Sequence, residues 1–194
     1  LGCVNGVKFN KDNKVVPVMV PPQPLNSSTY LYSMNLSIWT IGKSHESYIK
    51  EGVNEFTKRI GRYYKIEWNI IPVPKNAGMM SEMDLRKKEG ELILSLLKKD
   101  DHLVTLDERG KQFTSIEFSD LIVKCGNESV KHMIFLIGGA FGIDKPVLQS
   151  ANTVMSLSKL TFPHQLVRLI LAEQLYRACS IAKGEKYHHG GERG

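Results

Sequence analysis

Cysteine is scarce in this chain and never clustered. Cys3, Cys125 and Cys179 are the only three in 194 residues, and no C-x-x-C pair occurs. That pattern argues against a disulfide framework or a zinc site and suits a reducing compartment. Long apolar runs are missing too: none approaches the ~20 residues a membrane-crossing helix requires. The nearest thing to a signal peptide, "KVVPVMVPP", is interrupted by Pro17, Pro21 and Pro22. Lys14 alone is a weak basic flank for it, and no clear small-residue cleavage site follows. The expectation is a cytoplasmic protein with no membrane partner. No internal repeat is visible, and beyond the terminal His188–His189 pair no residues cluster as metal ligands, so no metal is expected.

A further absence decides how the main glycine cluster is read. "IFLIGGAFGIDKPV" (134–147) has the look of a buried strand, a glycine turn and a helix start, as a dinucleotide site would. The G-x-G-x-x-G fingerprint, however, would fall on Ile137, Gly139 and Gly142, so its first glycine is missing. It also needs an acid some ~20 residues further on to hold a ribose hydroxyl. Between Asp144 and Glu173 there is no Asp or Glu. No G-K-[ST] follows, which rules against a P-loop. The loop also comes after the fourth predicted strand of the regular part, whereas the fingerprint belongs to a first βα turn. A phosphate-free, nucleoside-type ligand fits these absences better.

What is present is ordinary for one globular domain: 42% apolar and 24% charged residues. The net charge of +6 and a pI near 9.2 leave two readings, an acidic partner such as nucleic acid or a solvated basic surface. Residues 1–33 lack helical period, carry four prolines and do not begin with methionine. They are expected to be a disordered or artefactual extension, with Met34 the natural start, 34–189 one domain and 190–194 a flexible tail.

From Met34 onward, short β-like runs alternate with helical stretches. Strands are predicted at 35–41, 65–71, 102–106, 130–137 and 153–158. Helices are predicted at about 45–60, 81–99, 116–125 and 163–183, with a short one after Asp144. Ile49, Val53, Phe56 and Ile60 form one helical stripe, while Ile66, Trp68 and Ile70 alternate on one strand face. Thr114 and Glu117 form a capping box, and Gly126 offers a helix stop. The run 130–137 is apolar on both faces at its end and therefore predicted central. This alternation means α/β with a largely parallel sheet. Ligands of such sheets sit outside the carboxyl ends of strands, which would bring Leu106, Gly138 and Leu157 together.

"VTLDERGK", "FLIGGAFG", "SLSKLTFPHQLVRLILAEQLYRA" and "GEKYHH" occur in this order. From Met34 to about His189 the chain resembles the RlmH-type SPOUT methyltransferases, which modify N3 of a pseudouridine in large-subunit (23S) ribosomal RNA. The resemblance implies a parallel-sheet SPOUT-type fold with a C-terminal trefoil knot, a homodimer, and S-adenosyl-L-methionine as cofactor. It implies cofactor contacts at Leu106, Gly138, Leu157, Ser158, Lys159, Leu160, Thr161 and Phe162. It also implies that the C-terminal Tyr187 and His188 reach the active site. His188 is then the first choice for substrate positioning or proton handling, with Tyr187 stacking or hydrogen bonding.

The predicted last helix holds the other candidates. His164 and Arg168, four residues apart, share a face and are assigned to substrate binding. Glu173 and Arg177 have the same spacing and are assigned to catalysis; an ordinary surface ion pair is the competing reading. Lys159, Arg168, Arg177, Lys183 and Lys186 make the C-terminal third basic, as phosphate contacts would require. No separate RNA-binding module is recognisable, so the expected substrate is the structured RNA of the assembled ribosome. The alternatives are a non-catalytic ribosome-associated RNA-binding protein, or a SPOUT methyltransferase acting on another RNA position.

Overall fold

Five strands line up as one sheet, the inner ones burying apolar side chains on both faces between layers of helix. In the computed structural model, residues 3–4, 7–9, 15–16 and 34–185 are described. Tyr187, His188 and the tail 190–194 lie outside the described residues, as do Lys186 and most of the segment 1–33. Within that segment, β1 (Cys3–Val4), β2 (Val7–Phe9) and β3 (Val15–Val16) pair antiparallel.

The main sheet contains β4 (Asn35–Ile41), β5 (Lys65–Ile71), β6 (Asp101–Gln112), β7 (His132–Ile137) and β8 (Thr153–Ser156). Its order is β5-β4-β7-β6-β8 and every pairing is parallel, which makes the fold α/β as expected. β7 is the middle strand, and Met133 to Ile137 are buried, matching its two-faced apolar pattern. β5 is an edge strand. Its alternation holds at Ile66 and Trp68 but fails at Ile70, which is exposed.

The helices are α1 (Ser47–Ile60), α2 (Glu82–Leu96), α3 (Ser115–Asn127), α4 (Lys145–Ser150) and α5 (His164–Ala182). One core layer joins β4 and β7 side chains such as Leu36, Ile38 and Phe135 to Ile60, Ile122, Leu171 and Leu175 of the helices α1, α3 and α5. The opposite layer packs Trp39, Ile134 and Leu136 against Ile93 of α2 and Val147 of α4. None of the helices described is long and apolar enough to cross a membrane.

Local signals explain most boundaries. The capping box forms in full: the Thr114 side chain accepts from the Glu117 amide, and Glu117 accepts from the Thr114 amide. The expected stop at Gly126 does not occur there. α3 runs on to Asn127, and Ser129, with φ 61°, takes the left-handed position instead. Val130 N then donates to Cys125 O and Ser129 N to Gly126 O, closing the helix end with both bonds of a Schellman motif. The largest departure is β6. The "DERGK" segment expected as a turn is absorbed into the strand, with a register shift between Leu106 and Lys111 against β8.

At the amino ends of the strands, polar side chains link four neighbours across the sheet. Ser37 Oγ donates to Glu67 Oε1 at 3.2 Å and lies 2.7 Å from His132 Nε2; His132 Nδ1 is 2.8 Å from Asp101 Oδ1. Serine, histidine and aspartate stand here in the order of a nucleophile triad. Ser37 is wholly buried, however, so no substrate can reach it, and the chain ties strands together.

Candidate active site

The carboxyl ends of three adjacent strands, β7, β6 and β8, meet as the parallel-sheet argument requires. β6 delivers Leu106, Asp107 and Glu108; β7 delivers Ile137 and, just beyond it, Gly138 and Gly139; β8 delivers Met155, Ser156 and then Leu157. Together with Gly142, Ile143, Ser158, Leu160, Thr161, Phe162, His164 and Val167 they line one cleft of about 150 Å³, open to solvent.

Short-range bonds shape two of its walls. In the glycine loop, Gly142 N donates to Gly139 O at 3.1 Å, and Gly142 adopts φ 81°, a backbone state that side chains disfavour. Gly139 is required for another reason: a Cβ there would run into the Glu89 carboxyl. In the loop after β8, Ser156 Oγ donates to Ser158 O at 2.9 Å, and Leu160 N donates to Ser158 Oγ at 3.0 Å. These hydroxyls hold a tight turn without regular structure.

The cleft is apolar with polar edges, and among the described residues no Lys or Arg lines it. A polyphosphate would find no cation there, whereas a nucleoside-type ligand would find aliphatic side chains and glycine backbone. Asp107 is held as a carboxylate by Arg109, whose Nε and Nη2 donate to it at 2.9 and 3.0 Å and whose amide donates at 3.0 Å. Those bonds, led by the guanidinium, depress its pKa.

The family model described as "Predicted SPOUT methyltransferase" matches residues 34–188. The chain belongs to the SPOUT methyltransferase family. Its relatives include the ribosomal RNA large subunit methyltransferase H of Cytophaga hutchinsonii, 49% identical over 156 residues, 80% of this chain and 100% of that protein. The proteins of the same name from Parabacteroides distasonis and Clostridium perfringens are 43% and 40% identical, each again over 80% of this chain and 99% of theirs. A SPOUT methyltransferase uses a methyl donor.

Against that site the individual expectations sort as follows. Leu106, Gly138, Leu157, Ser158, Leu160, Thr161 and Phe162 all line the cleft, and so does His164. Lys159 belongs to the same loop but is exposed and does not line the cleft. Arg168 does not share His164's surroundings. It is 2% exposed, and its Nη1 donates to Lys43 O at 2.9 Å and lies 3.4 Å from His45 Nδ1. It braces the loop after β4 rather than offering a cation to phosphate. Glu173 and Arg177 form an ion pair with one another, Gln174 Nε2 donates to Glu173 at 2.5 Å, and neither charged residue lines the cleft. The basic C-terminal third therefore uses two of its cations, Arg168 and Arg177, on internal partners. Tyr187 and His188 lie outside the described residues.

The site also contains residues the sequence reading passed over. Asp107 and Glu108 stand within "VTLDERGK", and Gly139 and Gly142 within the quoted glycine loop, so their signal was adjacency. Glu89, which packs behind Gly139 without lining the cleft, stands in the run "KKEGE", where nothing in the local sequence marks it.

Proposed function

We propose that this chain transfers a methyl group from S-adenosylmethionine to N3 of a pseudouridine in large-subunit (23S) ribosomal RNA. It would act in the cytoplasm, as a homodimer, on the assembled ribosome. The observation that carries the reading is the cleft at the β6, β7 and β8 ends, made from the segments resembling the family's cofactor loops and free of lining Lys or Arg among the described residues. The names of the relatives, which align over 99–100% of their own length, supply the substrate class.

When bound, S-adenosylmethionine supplies an electrophilic methyl on a sulfonium centre. The chain's own work is to hold, orient and exclude water. Leu106, Ile137, Ile143, Met155 and Leu157 offer apolar surface for a base, while the glycine backbone of 138–142 allows close approach of ribose and methionyl groups. His164, on the cleft rim at the start of α5, is suited to meet the incoming nucleotide. Positioning of this kind contributes several kcal/mol to a transfer between two bound groups. His188 is assigned to substrate positioning or proton handling, with Tyr187 stacking or hydrogen bonding and the Glu173–Arg177 pair assigned to catalysis beside them.

Homodimer formation is supported by α5. Leu166, Leu169, Ile170, Glu173, Gln174, Arg177 and Ile181 are each only half-buried and recur at helical spacing along it. A second copy packed there would cover the stripe.

The test is mass spectrometry of ribosomal RNA from ribosomes lacking the modification, incubated with protein and isotopically labelled S-adenosylmethionine. One labelled methyl on a pseudouridine of the large subunit is expected, with turnover cut at least a hundredfold by His188→Ala while donor affinity stays within about twofold. A methyl on another nucleotide, or none, overturns the reading.

A further inference from the structure

Glu89 is the odd group near the cleft. It sits on α2, 4% exposed, against the Cα of Gly139, and its Oε2 is buried with no hydrogen-bond partner among the described residues. Leaving a buried carboxyl oxygen unmatched is costly. Burial alone pushes its pKa up, and no neighbouring charge offsets that. Asp107, one of the two acids lining the cleft with Glu108, has its guanidinium; Glu89 has no ion-pair partner among the described residues. Helix packing does not account for the acid, since an apolar side chain would fill the same space without penalty.

A ligand can supply the missing partner. Glu89 does not itself line the cleft, but its carboxyl packs against Gly139 where a side chain would stand, and Gly139 does line it. We infer that Glu89 is the buried counter-charge of a cationic methyl donor, favouring the charged donor over the neutral product. This rests on the reading of the cleft as an S-adenosylmethionine site. Methyl transfer breaks the carbon–sulfur bond and forms a carbon–nitrogen bond. The carbon–sulfur electron pair stays on sulfur, the sulfonium becomes a neutral thioether, and the displaced N3 proton leaves with the base. In a low-dielectric setting, attraction between Glu89 and the donor's charge is lost at that moment. Glu89 is thus a positioning residue that helps load the donor and eject the product; it does not touch the reacting atoms.

The experiment measures dissociation constants of S-adenosylmethionine and S-adenosylhomocysteine by calorimetry, for the wild-type protein and Glu89→Gln. The substitution keeps the shape and removes the charge. The expected result is that the wild type prefers the donor, and that Glu89→Gln weakens the donor about tenfold, equivalent to about 1.4 kcal/mol, and the product less than twofold. A purely structural role would weaken both equally. Equal losses, or no change in the ratio, overturn the inference. Should Glu89→Gln fail to fold, the wild-type pair still decides: product binding as tight as donor binding overturns it. Binding of neither compound to the wild type would instead remove the donor assignment itself.

Discussion

At Gly139 the smallest possible side chain is already too large, because the Glu89 carboxyl occupies the space a methyl would need. Gly139→Ala should therefore displace either the glycine loop or α2. The expected cost is about 1–3 kcal/mol of stability, as for other overpacked positions, together with at least a tenfold loss of donor affinity. Urea denaturation and calorimetry measure the two. Adding Glu89→Ala to Gly139→Ala should restore most of the stability, since it empties the space in dispute; no recovery would show that the two residues do not compete. Cys179 illustrates the opposite relation of residue to function. Burial pushes its thiol up to about 12, and it serves only as core.

Among the elements, α5 does more than cover the sheet. Its first turns hold the loop that follows β4: Gln165 accepts from the Glu46 amide at 3.2 Å and donates to Ser44 O at 3.3 Å, while Arg168 donates to Lys43 O. His164 on the next-door face is thereby fixed at the cleft. Replacing Arg168 with Met keeps much of the volume and removes a charged donor, so a loss of about 2 kcal/mol at pH 7.5 is expected in urea denaturation. The pH dependence carries the sign. Burial first, then Arg168 and Lys50, lower the His45 pKa below its ordinary 6.5. The folded protein resists that proton, so the associated stability is present above pH 6.5 and lost as pH falls through the folded value. Arg168→Met relieves part of the depression, so the gap between wild type and variant should narrow at pH 5.5. A gap that widens would mean His45 does not sense Arg168.

The whole molecule raises a different question, where the working unit begins and how many copies it needs. The family match starts at Met34, and both core layers are built from residue 34 onward. Deleting residues 1–33 is expected to leave the thermal midpoint within about 2 °C and donor affinity unchanged. Loss of either would make the segment part of the domain. The same truncated protein should run as a dimer in light scattering.

Much of this organisation was legible in the residues. Period-two and period-3.6 patterns identified the five strands of the main sheet and their helices, because burial of one face or both leaves a direct imprint on hydrophobic spacing. The missing glycine and the acid-free stretch 145–172 excluded a dinucleotide, because phosphate and ribose need particular groups at particular distances. Three things depended on tertiary structure. The "DERGK" segment reads locally as a turn; β6 instead runs through it, and its pairing with β8 breaks after Leu106 and resumes at Lys111. Arg168 and His164 have the spacing of a shared face, yet a buried carbonyl partner at Lys43 draws one inward. Glu89 reads as a solvated charge in "KKEGE"; only the packing of α2 beneath Gly139 strips it of water. Spacing along a chain records which side of an element is buried, whereas the partner waiting on that side comes from distant sequence and is known only once the chain has folded.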